Sequence, residues 1–81
     1  MNANYYYANR IPEECRADVS AVIAKTYVQT QLNTVEMQFL FEVYNRYIAP
    51  ADEPEDIGCS GCRTKVVGKM RLYVKAWEGA Q

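Results

Sequence analysis

The sequence predicts an all-α protein: a small three-helix bundle with an extended, tyrosine-rich N-terminal arm over residues 1–10 and one helical domain over 11–79. Three observations predict it. Apolar residues recur at three- and four-residue steps in three separate stretches. The first two stretches open on residues that favour a helix start, and the third follows a short acidic loop. The one run that alternates like a strand has no second run to pair with.

The arm holds Tyr5-Tyr6-Tyr7 among Asn2, Asn4 and Asn9. Three consecutive tyrosines fit neither a clean helical face nor a short turn. They either pack back on the bundle or insert into a neighbour, because tyrosine joins large contact area to a hydroxyl. Tyr5, Tyr6 and Tyr7 are the candidate partner-binding residues.

The first helix is expected to start near Pro12, with Glu13 and Glu14 favourable at the positive end of the helix dipole. Cys15, Val19, Val22, Ile23 and Thr26 then share a face. Its end falls between Lys25 and Gln31, where Thr26-Tyr27-Val28 is ambiguous. In the second helix, Asn33 and Glu36 have the spacing of a capping box. Its stripe runs through Val35, Phe39, Val43 and Tyr47, broadened by Leu40, Tyr44 and Ile48, until Pro50 stops it.

The third segment, about Ser60 to Trp77, reads two ways. Met70, Leu72, Val74 and Ala76 alternate with polar residues as in a strand. Val66, Met70, Tyr73 and Trp77 instead line one helical face, with Lys65, Lys69, Arg71 and Lys75 on the opposite arc and Gly79 placed to end the helix. The helix is the better reading. Leu72 then points the wrong way, and Gly68 weakens the helix by roughly 1 kcal/mol.

A chain of 81 residues makes one small domain, and so small a core is often helped by a metal, a disulfide or a partner subunit. An oligomer or larger assembly is expected. The net charge is −1, which gives no general push toward nucleic acid or anionic membranes. Charge is uneven locally, with four carboxylates in residues 52–56 and five cations in 63–75. Histidine is absent, so Ser-His-Asp and Cys-His constellations cannot form within the chain and no enzyme is expected. Three cysteines disfavour a fully paired disulfide framework. No signal-peptide pattern or membrane-length apolar run is seen, which points to a reducing interior and not to secretion.

Cys59-Ser60-Gly61-Cys62-Arg63 admits three readings. Zinc needs four ligands, and the chain has one C-x-x-C pair, a distant Cys15 and only carboxylates such as Asp18 or Asp56 to complete a site. Cys15, Cys59 and Cys62 are weak metal candidates, and no cofactor is favoured. Thiol exchange gains from a helix N-terminus and Arg63, but lacks the preceding strand of thioredoxin-type sites and meets an opposing acidic loop. In the packing reading, which is favoured, Cys62 lies one turn before Val66 and extends the apolar stripe.

Leu40-Phe41-Glu42-Val43-Tyr44-Asn45-Arg46-Tyr47, the acidic turn, and the C-x-x-C-R step ahead of Val66 together resemble small helical proteins of tailed bacteriophages with Bacteroidetes-type hosts. The likeness spans roughly residues 39–75. Phe41-Glu42-Val43-Tyr44-Asn45 stands where those proteins have a direct Leu-Tyr-Asn run. The resemblance implies a phage context, in virion or host cytoplasm, and brings no activity with it.

The expected function is a non-enzymatic structural or interaction protein, virion-associated in that context, that docks on larger proteins. The alternatives are nucleic-acid binding through Lys65, Lys69, Arg71 and Lys75, whose cations would track phosphates, and inhibition of a host protein.

Overall fold

The computed structural model describes residues 3–29, 31–50 and 55–78, with the backbone alone at 3–5. Four α-helices are present among them: α1 (Ala3–Ala8), α2 (Glu13–Lys25), α3 (Thr34–Val43) and α4 (Ser60–Glu78). A π-helical turn, Tyr44–Ile48, extends α3. No strand occurs among the described residues, so the all-α class holds.

The long helix α4 organises the rest, packing against α1, α2 and α3 in turn. Its inner face carries Val66, Met70, Tyr73 and Val74, all buried. Val19 and Ile23 of α2 meet this face, as do Leu40, Phe41 and Val43 of α3 and Tyr44 and Ile48 of the π turn. The helical period over 60–78 wins because it buries these side chains while Lys69 and Lys75 stay in solvent. Leu72 is 47% exposed, as the helical reading requires.

The N-terminal arm differs from the expectation. Ala3–Ala8 is not extended but helical, and it docks on α4. Ala8 and Ile11 are fully buried in the shared core, so residues on both sides of position 10 belong to one body. A helical turn satisfies its own backbone groups while sending Ala8 inward. The Arg10 and Ile11 amides then bond back to the carbonyls of Tyr7 and Ala8 at 3.0 and 3.2 Å.

Pro12 is the N-cap of α2, one position before the first turn, and Glu13 and Glu14 occupy that turn. After Lys25 the chain tightens. The Thr26, Tyr27 and Val28 amides bond to the carbonyls of Ile23, Ala24 and Lys25, three residues back. The capping box at α3 is complete, with the Glu36 amide donating to Asn33 Oδ1 at 2.8 Å and the Asn33 amide to Glu36 Oε1 at 3.0 Å. Lys25 Nζ also bonds Glu36, tying the end of α2 to the start of α3.

Val35 is a second correction. It was expected in the α3 stripe but is 74% exposed, because the buried face turns through Leu40, Phe41 and Val43 and carries Val35 outward. Pro50 disfavours helical geometry at Ala49. The chain leaves the helix there through a wider turn, the Ala49 amide bonding to the Tyr44 carbonyl at 3.1 Å.

Candidate functional site

Three surface regions carry the residues singled out in the sequence. The first is the tyrosine helix. Tyr6 and Tyr7 meet edge to face at 5.3 Å between ring centres, and the Arg10 guanidinium stands 4.8 and 5.0 Å from those centres. Arg10 also donates to the Tyr6 hydroxyl at 3.0 Å and to the Ile48 carbonyl at 2.9 Å. Tyr7 lies 6.2 Å from Tyr73, whose phenol is pushed up to about 12 by burial. Tyr7 therefore serves the fold, while Tyr6 keeps an exposed face. The Tyr5 side chain lies outside the described residues.

The second region is the outer face of α4, and the structure divides the predicted basic set. Arg71 is committed to α2: its Nε and Nη2 donate to Thr26 Oγ1 and Thr26 O at 3.0 and 3.1 Å. Its guanidinium also stands 4.8 Å from the Tyr27 ring centre. Lys65 pairs with Glu55 at 2.6 Å. Lys69 and Lys75 are exposed with no ion-pair partner among the described residues.

Two open grooves flank the Arg71 side chain. One, of about 490 Å³, runs between Thr26, Leu32, Met37 and Val67. The other, of about 590 Å³, lies over Tyr27, Lys69, Leu72 and Lys75. Thr64, Gly68 and Arg71 line both. A methyl group added at Gly68 would meet nothing within 4 Å, so the fold's own packing does not require a glycine there. Tyr27, Val28 and Leu72 are exposed, and Tyr27 and Leu72 line the second groove.

The third region is the cysteine step. Cys59 is exposed and immediately precedes α4, and its Sγ accepts the Cys62 amide at 3.2 Å as a helix cap would. Cys62 is half-buried against the core, as the packing reading expected. Cys62 is pushed up to about 11, first by the Cys59 thiol and then by the Glu55 carboxylate. Cys59 is lowered by the Cys62 thiol and then by the Cys62 amide, with burial and Asp56 opposing. Glu55 is lowered by Lys65 and then by Cys62.

Asn45 in the π turn holds Glu55 in place. Its Oδ1 accepts the Glu55 amide at 3.0 Å and its Nδ2 donates to the Glu55 carbonyl at 3.4 Å. Neither Asn45 nor Glu55 stood out in the sequence, since one looked like part of an aromatic helix and the other like one acid in an acidic run. Their separation of ten residues carries no motif that would have found them.

Cys15 is not brought to this pair. It lies at the start of α2, beside the Trp77 end of α4, where Arg16 stands 5.7 Å from the Trp77 ring centre. Cys62 and Trp77 are separated by roughly 22 Å of helical rise. Among the described residues no group of three or more Cys, Asp or Glu is placed to hold a metal ion. No helix among them is long and apolar enough to cross a membrane. No protein-family model, curated protein or solved structure matches this chain.

Proposed function

We propose that this protein is a small interaction module whose docking surface is the outer face of α4, and that its occupant is an acidic, amphipathic segment of a larger protein. Gly68 carries this reading. A glycine inside an exposed helix weakens it by roughly 1 kcal/mol relative to alanine, and among the described residues nothing lies within 4 Å of where its Cβ would be. What a bare helix surface does offer is close approach to an incoming backbone. On either side of it, Leu72 and Tyr27 supply apolar contact while Lys69 and Lys75 supply positive charge.

A protein segment suits this surface better than nucleic acid does. Two of the four cations expected to track phosphates, Lys65 and Arg71, are engaged inside the molecule. The apolar area of Tyr27, Val28 and Leu72 has no use against a phosphate backbone, whereas an amphipathic helix buries such anchors at three- and four-residue spacing. The likeness to tailed-phage proteins supports a phage setting, in which the partner is a virion or host protein. Mass spectrometry of purified particles separates those two.

The direct test is fluorescence anisotropy with a labelled amphipathic peptide of Leu and Glu at helical spacing. Saturable binding that weakens about tenfold or more in Lys69→Glu/Lys75→Glu, a loss of at least 1.4 kcal/mol, supports the reading. Equal binding by that variant, no binding by the wild type, or preferential steeply salt-dependent binding of duplex DNA contradicts it.

A further inference from the structure

We propose that Cys59 and Cys62 form a dithiol site that exchanges with disulfide substrates, with Cys59 as the attacking thiol and Cys62 as the resolving thiol. The site is distinct from the α4 docking face and does not depend on it.

The geometry supplies each part. Cys59 is exposed, so an incoming disulfide can reach its sulfur. The sulfur accepts the Cys62 amide at the first turn of α4, an arrangement that stabilises thiolate over thiol. Cys62 follows on the same turn and is half-buried against the core. The opposed shifts of the two thiols, Cys59 down and Cys62 up, agree with this division of labour.

The exchange balances without an outside oxidant beyond the substrate. Cys59 thiolate attacks a disulfide R–S–S–R′, forming a Cys59–S–S–R bond and releasing R′S⁻. Cys62 passes its proton to the released R′S⁻, and its thiolate attacks Cys59 Sγ, breaking the bond to R. RS⁻ leaves and takes from solvent the proton that Cys59 lost on becoming thiolate. The protein loses two electrons as the Cys59–Cys62 disulfide forms, and the substrate disulfide gains them as two thiols.

The test uses the full chain, oxidised glutathione as probe, acid quenching and mass spectrometry. The expected product is a chain about 2 Da lighter whose bridge maps to Cys59–Cys62, with Cys15 still free to alkylate. In Cys62→Ser, a glutathione adduct should build up on Cys59. Glutathione on Cys15 alone, no bridge in the wild type, or equal alkylation rates at Cys59 and Cys15 across pH 6–9 would each overturn the proposal.

Discussion

Arg71 closes the last turn of α2 from across the bundle, holding the Thr26 side chain and carbonyl at once with two guanidinium nitrogens. Thr26 in turn donates its hydroxyl to the Ile23 carbonyl at 2.6 Å. A cation that the linear pattern assigns to a solvent-facing arc is thus part of the α2–α4 seam. The planar fork of arginine makes this contact, and lysine cannot reproduce it.

Replacing Arg71 should therefore destabilise the fold. Charge-assisted hydrogen bonds of this kind contribute about 1.5–3 kcal/mol. Arg71→Ala is expected to lose stability in that range, and Arg71→Lys to recover only part of it. Urea denaturation followed by circular dichroism measures both. Equal stability of wild type and Arg71→Ala would show that the seam is held elsewhere.

Gly68→Ala should move stability the other way. The added methyl group meets open space, and alanine in a helix interior gains about 0.5–1 kcal/mol over glycine. The same methyl should weaken binding of the acidic peptide. A variant that is more stable and binds less well separates a docking role from a folding role at this position.

The single tryptophan reports on the far end of the same seam. Trp77 Nε1 donates to Ser20 Oγ at 2.9 Å, joining α4 to α2. Ser20→Ala leaves a half-buried indole N–H without this partner, at a cost of about 1 kcal/mol. The expected result is a lower thermal midpoint and a change in tryptophan emission in the folded state. An unaltered midpoint would assign no net stability to this bond.

Acid should loosen the α2–α3 junction before the core. The Lys25 ammonium, and then the Asn33 amide, hold Glu36 below its ordinary value of 4.5. A carboxyl depressed in the folded state gives stability that is full above the unfolded value and lost as pH falls through the folded one. Stability should thus decline below about pH 4.5, and Glu36→Gln should start lower at neutral pH with a flatter acid limb. Denaturant midpoints between pH 2 and 7 provide the measurement. Glu55, depressed by Lys65, adds to the same limb and remains in that variant.

Local chemistry made much of the fold legible. The Asn33–Glu36 box is a contact between near neighbours, so its spacing reveals it, and Pro12 and Pro50 bound their helices through their own rings. The helix over 60–78 could be chosen because Val66, Met70 and Tyr73 share one face. The tyrosine arm was not legible. Its helix is fixed by Arg10 reaching Ile48, thirty-eight residues away, and no local pattern encodes that contact. The site was hidden for the same reason. Which cations stay unpaired among the described residues depends on Arg71 finding Thr26 and Lys65 finding Glu55, and the place of Glu55 depends on Asn45.

The docking face is tested most directly by recording ¹⁵N-resolved amide spectra of the reduced protein while the Leu/Glu amphipathic peptide is added. Shifts are expected at Gly68, Lys69, Leu72 and Lys75, extending to Tyr27 and Val28, with the tyrosine helix unaffected. Shifts centred on Tyr6 and Tyr7, or none at saturating peptide, would contradict it.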